Sequence, residues 1–440
     1  MTDKIINHTS TNLPQTIQKY LTKFAAFSPA PILNGKKLFD NIIVVPAIAE
    51  LENIKLLLES FRKADAKHFQ VTLILFVINN LKFSSEEAKS NNLKTIEYLK
   101  SQMPTIDDGL QIGIIDCASE GNELDEKDGG VGLARKIGMD TALTIFDYDN
   151  NSKKIIICLD ADCTINRNYL TEIVERFKER NLHAAYCEYE HPLNVDVQFK
   201  RAIICCEIFL RYYTLGLKFA GSHFAVNTIG STVACDVEAY SKVQGMNKRK
   251  AGEDFYFIEK LLKIYEVKKI EGAIIYPSSR DSRRVPFGTG QRVSKFIENE
   301  GDAYQLYSHK SFLVLKAWLC KFMNPAHKKV GQYLDEARDI DESLFRFLMN
   351  NDFVNSIDKI ITNSKSENQI QKQKVMWFDG FRTLKLIHYL RDHCFPNGFM
   401  FDELDYLLKS INQPTPQRIH ASIPSVEIQI EYLSILRNLT

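Results

Sequence analysis

Apolar and polar residues alternate in two distinct patterns along the first part of the chain. Residues 41–45 form a β-branched apolar run that ends at Pro46, which predicts a buried strand. Residues 50–64 follow with apolar side chains three and four positions apart, which predicts an amphipathic helix. The same alternation predicts further strands at residues 71–78, 110–116 and 154–159, and further helices at residues 84–101, 133–146 and 168–179.

Strands that alternate with helices of this length predict an α/β fold, in which helices flank a mostly parallel sheet. Ligands of such sheets bind beyond the carboxyl ends of the strands. The predicted strands end at Pro46, at Asn79 and Asn80, at Asp116 and at Asp160. We therefore expect the binding site to lie around these residues.

The second part of the chain has a different pattern. Strands are predicted at residues 183–190, 228–235 and 270–276, a helix at residues 253–264, and an aromatic segment at residues 199–224. From about residue 300 the periodicity is mostly helical, with a polar break near residues 363–373. The sequence therefore predicts a lead-in at residues 1–38, an α/β domain at residues 39–300 and a helical C-terminal domain at residues 301–440.

Composition narrows the class of protein. The 440 residues carry a formal net charge of +1, so no strong basic field favours a nucleic acid partner. The nine cysteines include no C-x-x-C pair, which argues against a zinc ribbon and favours buried thiols in the reducing cytoplasm. No apolar run approaches the roughly 18 residues of a membrane span. We expect a soluble cytoplasmic protein, with peripheral membrane contact and oligomeric state left open.

The strongest candidate for chemistry is the segment Asp160-Ala161-Asp162, which follows the apolar residues 155–159. Two carboxylates at a strand end repel each other unless a cation or a proton lies between them. Hard divalent ions such as Mg²⁺ and Mn²⁺ prefer oxygen ligands and accept phosphate oxygens in the remaining positions. The segment therefore suits a site for a metal ion and a diphosphate, with Asp160 and Asp162 as ligands.

Two other interpretations fit the same residues. A strand can simply end in solvated acids. The segment from Asp160 to Thr164 also matches the D-x-D-x-T pattern of haloacid-dehalogenase-type phosphatases, in which Asp160 would be the nucleophile and Asp162 the general acid or base. The residues of this segment alone leave all three interpretations open.

Several ordered segments resemble the family 2 glycosyltransferases, which have the GT-A fold. Residues 39–54 read FDNIIVVPAIAELENI, similar to the family pattern VVxPAxNEExNI. Further on, the sequences GSTVAC at residues 230–235, GMN at 245–247 and AGEDF at 251–255 resemble the acceptor-side block that ends in a Glu-Asp pair. The resemblance covers about residues 39–300 and implies a Rossmann-like, mostly parallel sheet and an inverting transfer reaction.

The resemblance also implies roles for individual residues. Pro46, Ala47 and Glu50 match the loop that contacts the nucleotide base and ribose, and Asn79 replaces an aspartate that often reads the base. An amide both donates and accepts, so the identity of the base stays open at this point.

The remaining matches concern the metal and the chemistry. Asp160 and Ala161 would contact the ribose or share the metal, and Asp162 would bind it. Asp254, preceded by Glu253, resembles the general base that deprotonates the acceptor hydroxyl. Acids are also common at helix N-termini, which is the alternative explanation for this pair.

Two basic segments complete the expected site. The glycine-containing turn at residues 129–132 leads to Arg135, which is expected either to reach the base or diphosphate or to be a surface arginine. Residues 277–292 resemble a segment that closes on the diphosphate with a Q-x-x-R-W motif, although lysine and phenylalanine stand in place of its arginine and tryptophan. The residues expected to bind the nucleotide sugar there are Arg283, Arg284, Gln291 and Arg292.

Together these features predict a metal-dependent hexosyltransferase. It would use Mn²⁺ or Mg²⁺ and a UDP- or GDP-sugar donor, and would glycosylate a hydroxyl group of a glycan, a lipid or a small molecule. Two alternatives stay open: a phosphohydrolase with Asp160 as nucleophile, and a non-catalytic protein that binds nucleotide sugars.

Overall fold

The computed structural model describes residues 13–26, 28–35, 38–103, 109–227, 229–279, 289–298, 304–325 and 328–440. The strands β1 to β11 span Ile32–Leu33, Asn41–Ala47, Thr72–Asn79, Gln111–Cys117, Ile155–Cys158, Cys163–Ile165, Ala184–Tyr189, Val233–Asp236, Val267–Pro277, Gln305–Leu306 and Gly398–Phe399.

The helices follow the same order along the chain. Helices α1 to α9 span Gln15–Phe24, Leu51–Arg62, Glu86–Gln102, Val131–Ala142, Tyr169–Glu179, Val197–Phe219, Val237–Lys242, Glu253–Leu262 and Thr289–Glu298. The later helices span His309–Phe322, Val330–Ile340, Glu342–Asn350, Phe353–Asn363, Glu367–Trp377, Gly380–His393, Met400–Ser410 and Val426–Leu439.

One large sheet organises the first half of the fold. Within the described residues its strand order is β1-β4-β3-β2-β5-β8-β7-β9-β6. The strands β2, β3, β4, β5, β7 and β9 run in one direction, while β1, β6 and β8 run in the other. With helices on its faces and a helical region after it, this mostly parallel sheet confirms the predicted fold class.

The central strands form where the sequence is apolar without interruption. β2, β3 and β5 are buried along their whole length, as expected for parallel strands covered on both faces. Each lies within one or two residues of its predicted position. Because β2, β3, β4 and β5 are parallel neighbours, their carboxyl ends meet at one edge of the sheet. The antiparallel strand β8 begins at that same edge, since Ala234 pairs with Ile157.

Contacts divide the chain into two compact units. The first contains residues 1–192 and 228–278, and the second contains residues 193–227 and 279–440. The large sheet belongs to the first unit. The domain boundaries expected at residues 38 and 300 stay a prediction.

The predicted lead-in contains a helix that belongs to the first unit. Asp140 of α4 is 3% exposed and accepts hydrogen bonds of 2.7 Å from the hydroxyls of Tyr20 and Tyr240 and from the amide of Ala26. Lys136 lies 3.0 Å from the same carboxylate. The buried carboxylate of Asp140 therefore links α1 to α4 by hydrogen bonds.

The second unit is mainly helical. Its core includes Trp318, which stacks on Phe322 with ring centroids 4.8 Å apart, and the long helix α6. The aromatic segment expected near residues 199–224 is mostly α6, and the fully buried Ile203 and Tyr212 assign it to core packing. The helix Val426–Leu439 lies within the residues for which a helical C-terminal domain was predicted. No helix in the described part of the chain is long and apolar enough to cross a membrane.

Two smaller expectations were wrong. The strand expected from residue 228 begins only at Val233, because Gly230–Thr232 forms a short 3₁₀ turn. None of the nine cysteines forms a disulfide, but Cys320 and Cys394 are exposed, unlike the other seven.

Candidate functional site

The turn after β5 carries the acidic pair at the edge where the parallel strands end. Asp160 and Asp162 lie between β5 and β6 and are both partly exposed. The turn is fixed by two backbone hydrogen bonds: the amide of Cys163 donates to the carbonyl of Asp160 at 3.1 Å, and the amide of Ser278 donates to the carbonyl of Asp162 at 2.9 Å. The backbone that carries the two carboxylates is therefore held both within the turn and by the segment that follows β9.

A buried arginine links this turn to a distant helix. The Arg135 guanidinium, 2% exposed, donates from Nη2 to Asp160 Oδ1 and from Nη1 to Glu253 Oε1. Burial disfavours its charged form, but Asp160 and Glu253 outweigh this and raise the pKa of Arg135. The expectation that Arg135 is a surface residue is wrong. Its predicted contact with the nucleotide sugar stays a prediction.

The carboxylate of Asp254 has an unusual proton affinity. Burial, and next the negative charge of Glu253, raise the pKa of Asp254 to about 7, although Arg135 opposes the shift. Its Oδ1 accepts a 2.7 Å hydrogen bond from the amide of Phe255. A carboxylate with a pKa near 7 exchanges protons at neutral pH, which suits general acid–base chemistry.

The N-terminus of α8 is built to present this pair of acids. Gly252 precedes the helix with a left-handed φ of 68°, and the side-chain amide of Asn247 donates to the carbonyl of Glu253 at 2.8 Å. Gly132 of α4 lets the neighbouring segment approach closely, since a Cβ there would lie 2.2 Å from the carbonyl oxygen of Arg249. Asn247 belongs to the family-like segment GMN at residues 245–247, but the sequence predicted no role for it.

The loop after β2 is held by asparagines of the neighbouring helix α3. The amide of Ala49, whose φ is 54°, donates to Asn92 Oδ1 at 2.8 Å. Asn92 in turn donates to Asn80 Oδ1 at 2.9 Å and to the carbonyl of Asn79 at 3.0 Å. Nothing in the sequence of α3 indicated this support. Glu50, 8% exposed, accepts a 2.5 Å hydrogen bond from Asn53.

The side chain of Asn79 has a defined orientation. Its Nδ2 donates to the carbonyls of Ala47 at 3.0 Å and Val77 at 3.3 Å, so the nitrogen must face the backbone. Oδ1 makes no hydrogen bond with the part of the chain that the structure describes. Asn79 can therefore offer a ligand an acceptor rather than a donor.

The predicted site residues fall into three groups. The carboxyl edge of the sheet in the first unit brings together Pro46, Ala47, Glu50, Asn79, Arg135, Asp160, Ala161, Asp162, Glu253 and Asp254. Arg283 and Arg284, and the side chain of Gln291, lie outside the described residues. Arg292 is exposed on α9 in the second unit, where its guanidinium lies 3.4 Å from the ring centroid of Phe209. Whether any of these residues binds a nucleotide sugar stays a prediction.

The donor set of the turn fits a hard divalent cation. Asp160 and Asp162 supply carboxylate oxygens one residue apart, and Arg135 engages only Oδ1 of Asp160. A second acidic group, Asp402, Asp405 and His420 in the second unit, offers atoms at metal-binding spacing. There, however, the guanidinium of Arg418 already bonds both carboxylates.

Comparison with known proteins gives only remote likenesses. No protein-family model and no curated protein matches the chain. S. aureus TarS 1–349 in complex with UDP-GlcNAc is 14% identical with a TM-score of 0.37, over 87% of this chain and 95% of that one. The mannosyltransferase PcManGT from Pyrobaculum calidifontis, in complex with GDP-Man and Mn²⁺, is 12% identical with a TM-score of 0.36, over 85% and 90%. Values this low assign neither a fold nor an activity to this chain.

Proposed function

We propose that this chain is a glycosyltransferase of the family 2 type, which transfers a hexosyl group from a nucleotide diphosphate sugar to a hydroxyl acceptor. The observation that carries the proposal is the pairing of Asp160 and Glu253 through Arg135, which connects the acidic turn to the residue that precedes Asp254. A cation-binding turn and a carboxylate of pKa about 7 then share one edge of the sheet. These are the two groups that such a transfer needs.

The role proposed for each residue follows from the chemistry of its side chain. Asp160 and Asp162 would hold Mn²⁺ or Mg²⁺, which when bound neutralises the leaving diphosphate. Asp254 would accept the proton of the acceptor hydroxyl as that oxygen attacks the anomeric carbon. Attack from the face opposite the leaving group inverts the configuration at this carbon. Pro46, Ala47, Glu50 and Asn79 would contact the nucleoside.

The orientation of Asn79 favours particular bases. With Nδ2 held by two backbone carbonyls, only Oδ1 is left to meet a base edge. Uracil and guanine present a ring N–H there, whereas cytosine and adenine offer only an exocyclic amino group beside an unprotonated ring nitrogen, which an acceptor oxygen repels. The donor is therefore proposed to be a UDP- or GDP-sugar.

A panel of nucleotides tests this function and its base preference. In the presence of Mn²⁺, we expect UDP or GDP, and one of their sugars, to raise the melting temperature at concentrations where CDP and ADP do not. Asn79→Leu should lower affinity for the preferred nucleotide by about tenfold or more, since one hydrogen bond to a buried group is lost. Asn151→Leu, the same change at an exposed position, is the matched control.

Other outcomes of the same panel contradict the proposal. Preference for CDP or ADP would remove the role of Asn79. Hydrolysis of simple phosphomonoesters that depends on Asp160 and forms an acyl-phosphate would replace the transferase with a phosphohydrolase. A protein that binds the nucleotide sugar but neither transfers the sugar to an acceptor nor hydrolyses the donor would be a binding protein.

The pKa of Asp254 predicts the pH dependence of transfer. The base must be deprotonated to act, so activity should rise with pH and level off above about 7. Below that value kcat/KM should fall about tenfold per pH unit, because one proton blocks the base. Glu253→Gln removes the neighbouring negative charge, which helps to raise this pKa, and should move the acid limb to lower pH. An acid limb that stays in place in both Glu253→Gln and Asp254→Glu would assign it to another group.

A further inference from the structure

The Arg135 guanidinium connects three segments that are distant in sequence. Arg135 itself stands on α4, Asp160 is 25 positions away in the β5–β6 turn, and Glu253 is 118 positions away at the start of α8. Each Nη atom takes one carboxylate. Because a guanidinium is planar and rigid, two such bonds fix the distance and the angle between the carboxylates.

Stability alone does not explain this arrangement. The guanidinium is 2% exposed and Glu253 is 6% exposed, so both charges lose most of their hydration. Ion pairs buried in this way contribute little net stability compared with apolar side chains of similar size. In addition, Nε of Arg135 has no hydrogen-bond partner among the described residues. A side chain that is costly to bury points to a role in the geometry of the site.

The backbone around the guanidinium leaves room for it. A Cβ at Gly230, in the turn before β8, would lie 2.6 Å from Nη1 and 3.0 Å from Cζ of Arg135. Any larger residue at this position would push the guanidinium away from its two partners. The 3₁₀ turn Gly230–Thr232 and the side chain of Arg135 are therefore fitted to each other.

We infer that Arg135 is a positioning residue, which holds the cation-binding turn and the base-bearing helix at the separation that transfer requires. The inference rests on the proposed function. Arg135 acts through its partners: Asp160 belongs to the turn that holds the diphosphate, and Glu253 precedes the base Asp254. Each Nη atom is bonded to a carboxylate of the protein and the side chain is only 2% exposed, so we expect Arg135 to set the alignment of donor and base rather than to bind the donor.

Replacement of Arg135 by lysine tests the alignment. One ammonium keeps the charge but cannot form the two fixed bonds of a guanidinium, so kcat should fall roughly 100-fold, the usual effect of a displacement of about 1 Å. The KM for the donor should stay within about twofold of the wild-type value. A rise in KM at unchanged kcat would show that Arg135 binds the donor and would overturn the inference.

A metal-binding measurement separates positioning from a purely structural role. In Arg135→Met the positive charge next to Asp160 is gone, so binding of Mn²⁺ alone, followed by electron paramagnetic resonance, should tighten by roughly tenfold. Weaker Mn²⁺ binding with a lower melting temperature would mean that Arg135 only maintains the fold. If Arg135→Met does not fold, Arg135→Met combined with Glu253→Gln has one buried negative charge fewer and serves the same measurement.

Gly230→Ala tests the position of the guanidinium without changing any charge. The added methyl group should displace the guanidinium and lower kcat in the same direction as Arg135→Lys. Gly331→Ala is the matched control, since a Cβ there meets nothing within 4 Å. Arg176→Met, on the surface of α5, controls for loss of an arginine. Equal activity of Gly230→Ala and Gly331→Ala would contradict the inference.

If the protein is not a glycosyltransferase, the measurements differ from those expected if only the role of Arg135 is wrong. A wild-type protein that binds Mn²⁺ but transfers no sugar would refute the transferase, while the change in Mn²⁺ affinity of Arg135→Met would still report whether Arg135 controls the turn.

Discussion

Asp254→Asn should lower the rate of sugar transfer by about 10³-fold, because the acceptor hydroxyl then has no base to take its proton. The asparagine has nearly the same shape, so the change removes the proton acceptor and little else. Asp254 is also a carboxylate whose charged form is disfavoured by burial, and its pKa is raised to about 7. The melting temperature at pH 8 should therefore stay the same or rise in the variant.

Binding measurements show whether this loss is chemical. Affinity for Mn²⁺ and for the nucleotide should remain close to that of the wild-type protein, since Asp254 has no role in holding the donor. Asp335→Asn, the same change at an exposed position of the second unit, is the matched control and should be fully active. Transfer by Asp254→Asn at more than about a tenth of the wild-type rate would assign the base to another group.

Asp162→Asn should abolish metal-dependent binding of the donor. One of two carboxylates at the cation site becomes a neutral amide, and the diphosphate loses the charge that neutralises it. We expect Mn²⁺ affinity to fall by about two orders of magnitude and kcat/KM by about 10³-fold. Calorimetric titration with Mn²⁺, first alone and then with the nucleotide, measures both effects.

Removal of metal from the wild-type protein should reproduce the variant. Treatment with a chelator should stop transfer, and Mn²⁺ or Mg²⁺ should restore it, whereas Asp162→Asn should stay nearly inactive at the concentration of Mn²⁺ that restores the wild-type protein. Full activity of the wild-type protein in excess chelator would mean that the acidic turn acts without a metal ion.

The acidic residues of the site could be predicted because their local sequence carries the information. Asp160 and Asp162 follow an uninterrupted apolar run, and such a run becomes a buried parallel strand whose carboxyl end carries a site. Glu253 and Asp254 begin a segment of helical periodicity, and they lie in the first turn of α8. Short-range pattern was sufficient to predict where these acids lie in the fold, whereas their roles stay a prediction.

The connections between these residues could not be predicted, because they depend on contacts between distant segments. The ion pairs of Arg135 join positions up to 118 residues apart, and its sequence neighbourhood equally fits a surface helix. Asn92 supports the loop after β2 from the middle of α3, where an asparagine normally indicates an exposed face. The 3₁₀ turn that begins at Gly230 was predicted as part of a strand because its neighbours are apolar. The reason for a glycine at this position is the guanidinium of Arg135, which is distant in sequence and leaves no space for a Cβ.

The hydrogen bonds that Tyr20 and Ala26 donate to Asp140 determine where a shorter fragment of this protein can begin. A fragment that starts at residue 39, where the family-like sequence begins, lacks the hydroxyl of Tyr20 and the amide of Ala26, two of the groups that hydrogen-bond this buried carboxylate. Water would have to enter a site that is 3% exposed, or α4 would have to shift. Because α4 also carries Arg135, a cut chosen by sequence similarity alone would disturb the ion pairs of Arg135 from the other end of the same helix. Fragments for expression should therefore begin before Gln15.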